Sequence, residues 1–325
     1  MRIAGRFGAP LEFESNFCFL SLISAGADFT IINDHDRLCY KKAEGERQKM
    51  KTFFWIAVLV LLMVRAVPLP AQTNVFPLAA TDKSAKPIAP AVAPKPGWAL
   101  VINLGDDEFL PFVWIGPLKM WVGKFEVTNG QYNRFDLGHE NKDYYGHIFD
   151  EPDQPVVWVS WEDANNYCEW LTRTFGRQIP SGYIFRLPKE KEWQIFASCG
   201  ERRRYPWGNT WPPPDTFNYR GKEGIGFFYW LFQSEPYISG HNDRFIVTCP
   251  VKRSGNNAWG LYGVGGNVWE WCQDWFNDQQ ITRSLRGASW NNDEPDIIAV
   301  TNRSDAYPMR YNPMIGFRVV VAPVE

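Results

Sequence analysis

From Trp98 onward the chain is written in short aromatic and apolar runs, each broken within a few residues by Gly, Pro or Asn, and this pattern limits the fold more than any other feature. Such short runs read as short strands and ordered loop, yet their side chains carry enough apolar surface for a large core. The 325 residues include 16 Trp, 23 Phe and 13 Tyr, so disorder is excluded for the bulk of the chain. A formal net charge of -2, with no Lys/Arg block, leaves no electrostatic footprint for nucleic acid.

The first hundred residues read differently. Phe53 to Val64 is an unbroken apolar run, preceded by Lys49, Met50 and Lys51 and followed by Leu69-Pro70-Ala71-Gln72. This is the order of a secretory signal: charged start, apolar stretch, small-residue cleavage site. A spanning helix needs about 20 apolar residues, and Arg65 ends this run too early. Export with cleavage after Ala71 is therefore expected, to the periplasm or the extracellular space, with no stable membrane span left afterwards. Residues 50–71 are the signal peptide on this reading. Residues 1–49 are an over-extended N-terminus with Met50 as the better start, the alternative being a cytoplasmic tail on a short signal anchor. Residues 72–97, rich in Pro and Ala (KPIAPAVAPKPG), form an extended linker.

Residues 98–325 read as one α+β domain. Thr128 and Gln131 have the spacing of a capping box, with Tyr132, Phe135 and Leu137 following before Gly138. Ser160 is an N-cap ahead of Ala164, Tyr167, Cys168 and Leu171, which recur at helical spacing until Gly176. A third helix is expected between Pro188 and Gly200. Val156 to Val159 and Phe317 to Val321 read as short strands, and much of the rest as ordered loop.

Seven phrases then stand in order: FEVTNGQYNRF (125–135), PVVWVSWEDANNYCEWL (155–171), FRLPKEKEWQIFAS (185–198), RYPWGN (204–209), GLYGVGGNVWEWCQDW (260–275), RGASWNN (286–292) and GFRVV (316–320). Together they resemble the formylglycine-generating-enzyme, or sulfatase-modifying-factor, family over roughly residues 112–322. The resemblance implies an elaborated C-type-lectin-like α+β fold with much irregular structure. It also implies an oxidase site in which two cysteines bind copper(I) a few residues after the turn matching Gly287-Ala288-Ser289-Trp290. Here the chain continues with Asn291-Asn292-Asp293-Glu294, and no Cys follows Cys272. Soft thiolates are what copper(I) requires, so copper is not expected and no catalytic residue is assigned. Ser289 and Trp269 match positions beside the family's reaction site, a role that ordinary core use explains equally well. His35, His139, His147 and His241 show no metal-ligand spacing for zinc or iron.

Calcium is the one metal the resemblance supports, through hard oxygen ligands at two loops. The first loop matches through Asn218, the carbonyl of Tyr219, Asp243 and the carbonyl of Phe245. The second matches through the carbonyls of Gly266 and Val268 and the side chain of Glu270, with Gly263 where the family commonly has an Asn ligand. The competing reading makes Glu270 a buried acid paired with an Arg such as Arg318, and Asn218 a turn residue. Of the cysteines in the domain, Cys168, Cys199, Cys249 and Cys272 are even in number, which permits disulfides. The partners that the family gives to positions like Cys168 and Cys199 fall in a segment without Cys here, so burial as small hydrophobes weighs at least as much.

The surface that receives a substrate peptide in the family corresponds to residues 290–311. Trp290, Asn291, Asn292, Asp293, Arg303, Tyr307 and Tyr311 combine aromatics with adaptable polar groups, which suits a peptide, protein or glycan ligand. The bland alternative is a solvated loop that closes the fold. The rival functional reading is an enzyme of the same family in which Cys249 and Cys272 meet at the surface.

Overall fold

The computed structural model describes residue 95, residues 97–227 and residues 237–324. The expected signal peptide, the segment before it and nearly all of the linker lie outside the described residues.

Among the described residues, nine short strands form two sheets. β1 (Leu100–Gly105), β2 (Glu108–Ile115), β3 (Met120–Gly123) and β4 (Tyr183–Arg186) belong to the first, β5 (Trp269–Trp275), β6 (Arg283–Arg286), β7 (Ser304–Ala306) and β8 (Ile315–Gly316) to the second, and β9 (Val320–Pro323) returns to the first. The orders are β1-β2-β3-β9-β4 and β7-β6-β5-β8. All pairings are antiparallel except β5 with β8, where Glu270 lies opposite Gly316. The C-terminal strand thus enters the middle of the first sheet, with Val321 paired to both Trp121 and Phe185.

The helices form where their caps specify them. α2 (Trp161–Phe175) starts on a complete Ser160–Asp163 capping box and buries Ala164, Tyr167, Cys168 and Leu171 along one stripe. α3 spans Glu190–Ala197. The Thr128–Gln131 box is also complete, but α1 (Asn129–Tyr132) lasts only four residues. Phe135 packs against Tyr132 in the turns that follow, and Leu137 points into solvent. The Gln131 side chain is drawn to Phe109 O of β2, which ties the box to the sheet.

Both expected strands need correction. Val156, Val157 and Val159 are buried but form no ladder: Val156 N donates to Val127 O, Trp158 N to Asn312 O, and Trp158 has a left-handed φ of 55°. The apolar run records burial on several sides, which a core loop shares with a strand. Phe317 to Val321 is split. β8 ends at Gly316 in the second sheet and β9 begins at Val320 in the first, so residues 317–319 cross between sheets. Arg318, completely buried, sits at this crossing.

The core is aromatic, as the pattern required. Trp121, Trp193, Trp271 and Trp290 are all essentially inaccessible to solvent. Their indole N–H groups are spent on Trp98 O, a Glu270 carboxylate oxygen, Val159 O and Pro313 O respectively. Truncating one such Trp to Ala costs roughly 3–5 kcal/mol.

Candidate functional site

At the first loop, Asp243 turns its carboxylate onto its neighbours' amides. Oδ2 accepts from Tyr219 N at 2.9 Å and Oδ1 from Phe245 N at 2.7 Å. A carboxylate has about four acceptor positions, and with His241 Nε2 facing Oδ2 at 3.4 Å at least one remains. Asn218 is completely buried; its Nδ2 donates to Val247 O at 2.9 Å, and its Oδ1 has no hydrogen-bond partner. An orphaned buried amide oxygen beside an incompletely used carboxylate is a donor set that a hard cation can complete. Burial raises the pKa of Asp243, partly offset by His241, whose Nε2 lies 3.4 Å from Oδ2. Asn218 and Asp243 of the first predicted set are therefore brought together through Tyr219, and their oxygens are of the kind calcium takes.

The second loop is built on a different plan. Glu270 and Arg318 are both inaccessible to solvent. Glu270 Oε1 accepts from Arg318 Nε at 2.8 Å and Nη2 at 2.5 Å, while Oε2 accepts from Arg318 Nε at 2.7 Å and Trp193 Nε1 at 2.8 Å. Both oxygens are engaged twice, by three N–H groups, with Arg318 Nε–H shared between them. Arg318 also donates to Gly123 O and Tyr262 O, linking the sheet crossing to the residue before Gly263. The space a side chain at 263 would need is filled: a Cβ there would lie 2.1 Å from both carboxylate oxygens of Glu126. Asn267 Nδ2 holds Glu126 Oε1 at 3.0 Å, and Glu126 Oε2 is buried without a partner. Burial pushes the Glu126 carboxyl up to about 7, against the lowering effect of Arg318. Both Glu270 oxygens face a buried guanidinium and residue 263 brings no side chain, so this set does not fit calcium.

Glu126 is the residue that sequence reasoning overlooked. Its signal was available: a carboxylate between Phe125 and Val127, inside an apolar stretch. Among the described residues, no three His, Cys, Asp or Glu side chains gather as a metal-holding group. Nor is any described helix long and apolar enough to cross a membrane.

The C-terminal segment is divided by depth. Trp290 is a core residue, packed with Tyr144 and Phe149, and so is withdrawn from a ligand's reach. Asn292 Oδ1 accepts from Ser289 N at 2.9 Å and Ser289 Oγ at 3.0 Å, closing the turn on itself. Asp293 is paired with Arg220, and Asn291 Nδ2 faces Met314 Sδ. Arg303 is exposed but clamped by Glu190 through two bonds of 2.6 and 2.7 Å. Only Tyr307 and Tyr311 of the predicted set present free surface, joined by Met309, the three being 66%, 51% and 72% exposed. Their backbone is pinned on both sides, with Pro308 O accepting from Trp161 N and Asn312 O from Trp158 N.

Comparison with known proteins bears on this architecture. Residues 108–323 match the model of the sulfatase-modifying factor enzyme 1-like domain. The chain belongs to this family. The sulfatase-modifying-factor domain here is 38% identical over 139 residues to the formylglycine-generating enzyme of Thermomonospora curvata, covering 42% of this chain and 39% of that enzyme. It is 36% identical over 172 residues to the inactive Cα-formylglycine-generating enzyme 2 of Mus musculus, covering 50% of this chain and 48% of the relative. The chain thus spans less than half the length of these relatives. Among solved structures it is similar to Treponema denticola variable protein 1, with a TM-score of 0.53 at 21% identity over 69% of this chain and 99% of that one. The expected α+β family fold is the one observed.

Within this sulfatase-modifying-factor domain, Cys168, Cys199, Cys249 and Cys272 are free thiols, each buried. Burial raises the pKa of all four, and for Cys249 and Cys272 well above the ordinary thiol value. Deeply buried neutral thiols are inert small hydrophobes and poor soft-metal ligands.

Proposed function

We propose that this is an exported, non-catalytic sulfatase-modifying-factor domain that binds a peptide, protein or glycan through its C-terminal surface. The observation that carries the reading is the burial of Cys249 and Cys272, the pair on which an oxidase would have to rely. A protonated, inaccessible thiol offers neither copper ligation nor attack on oxygen. The exposed Tyr307, Met309 and Tyr311 on an anchored backbone support the binding half: rigid aromatics give contact area at low entropic cost. In the same reading, calcium is held at the first loop by Asn218, Asp243 and the carbonyls of Tyr219 and Phe245, as a structural ion.

The test uses purified full chain. Copper(I) is titrated against a chelator competitor, and a Cys-containing sulfatase-type peptide is incubated with it under oxygen. Neither copper retention nor conversion of the Cys is expected; turnover would restore the oxidase reading. In parallel, peptide and glycan arrays are probed with the native chain and with Tyr307→Ala/Tyr311→Ala. Signal that falls at least tenfold in the variant, with unchanged thermal stability, supports the surface; equal signal from both rejects it.

A further inference from the structure

We propose that in this chain the second calcium loop has become metal-independent: the Arg318 guanidinium neutralises Glu270, the Glu126 carboxylate occupies the side-chain space at Gly263, and calcium loads at the first loop alone. The first-loop part rests on the reading given above; the second-loop part does not.

The argument is one of capacity. A calcium ion needs six to eight oxygen contacts, several from carboxylates with free lone pairs. At residues 263–270 the candidate acid is Glu270, and its acceptor positions are consumed by three N–H groups, two from Arg318 and one from Trp193. Freeing an oxygen for a metal would break the bidentate grip and strand a guanidinium that is completely buried. Residue 263 offers no side chain, and none could be fitted without expelling Glu126, because a Cβ would stand 2.1 Å from its oxygens.

The mechanical task of an ion is meanwhile done by side chains. Arg318 ties together Gly123 at the end of β3, Tyr262 before the loop and Glu270 in β5. Asn267 continues the tie, donating to Glu126 and accepting from Cys249 N through Oδ1. Its own amide donates to Asn218 O, where the first loop begins. A fixed internal cation thus holds the loop that a diffusible cation would otherwise hold. The difference between the loops is specific: Asn218 Oδ1 is without a partner and Asp243 faces no guanidinium, whereas both Glu270 oxygens are gripped by Arg318.

The experiment is a calcium titration of the chelator-stripped full chain by calorimetry, with equilibrium dialysis for stoichiometry, on the native chain and on Asp243→Asn. One calcium per native chain and none in Asp243→Asn is the expected result. With calcium at about 100 times its Kd, the native melting temperature should rise by about 5–10 °C over the chelated form, and that of the variant should not move. Calcium uptake by Asp243→Asn, or two ions per native chain, would overturn the proposal. No uptake by either protein would reject the first-loop reading while leaving the second loop metal-independent as proposed. Should Asp243→Asn fail to fold, native stoichiometry alone decides, since two ions require the second loop.

Discussion

The two loops that resemble calcium sites answer the same electrostatic problem in opposite ways. At the first, Asp243 meets two backbone amides and His241 Nε2 at 3.4 Å, and Asn218 keeps an orphaned amide oxygen. At the second, Glu270 is saturated by Arg318 and Trp193, and the loop is complete as folded. Counting carboxylates does not separate them, because each has its acid. What separates them is the partner: a buried guanidinium grips both oxygens of Glu270, whereas Asp243 meets backbone amides and an imidazole at 3.4 Å.

The strongest way to break the contrast is to remove the internal cation. Arg318→Met would leave Glu270 and Glu126 buried without compensation, and should lower unfolding stability in urea by about 3–5 kcal/mol. Adding Glu270→Gln, which keeps an acceptor for Trp193 Nε1, should recover at least half of that loss. A single variant no less stable than the native chain would refute the strut.

Glu126 sharpens the comparison through pH. Its carboxyl is raised to about 7, mainly by burial, from the ordinary glutamate value of 4.5. The folded state therefore holds a proton that the unfolded state has released between these two values. Stability attributable to Glu126 is undiminished below about pH 4.5, falls as pH rises to about 7, and stays lowered above it, by up to about 3 kcal/mol. Glu126→Gln should accordingly be more stable than the native chain at pH 8 and indistinguishable at pH 4, measured by urea denaturation. Equal stability at both pH values would mean that Glu126 Oε2 also has a partner.

At the first loop, Asn218→Ala removes the bond to Val247 O and the orphaned oxygen together. In chelator the net cost should be about 1 kcal/mol, the worth of one hydrogen bond. In calcium the cost should be larger, because a ligand is lost as well; an identical cost in both would argue against ligation. The smallest effect is expected at Cys249, whose N–H donates to Asn267 Oδ1 and whose carbonyl accepts from Asn267 Nδ2, beside the second loop. Its alkylation rate should change less than about twofold on calcium removal, since opening there is governed by local packing. Marked acceleration in chelator would mean that loss of the first-loop ion, whose Asn218 bonds Val247 O two residues away, loosens this segment.

Much of the frame was legible because its signals are local. The Ser160–Asp163 and Thr128–Gln131 boxes each satisfy their own helix start within four residues, and both formed. The seven phrases, spread through residues 125–320, carried the family fold. The two strand errors came from apolar runs whose burial is decided by distant neighbours. Val156 is held by Val127 O and Trp158 by Asn312 O, while Phe317 to Val319 crosses from one sheet to the other. The candidate surface failed in the same manner at Trp290, which neighbouring Asn and Asp residues make look exposed but which packs against Tyr144 and Phe149.

By itself the sequence determined the family fold, the short-element aromatic core, the loss of cysteines after Cys272 and the residue types available at each loop. Only the tertiary structure decided which of those residues are spent. Glu270 and Arg318 lie 48 positions apart and Glu126 and Asn267 lie 141 apart, yet their hydrogen bonds close one loop and leave the other open. Hydrogen-bonding capacity is a property of a side chain, but its occupancy is settled by what folding places within 3 Å.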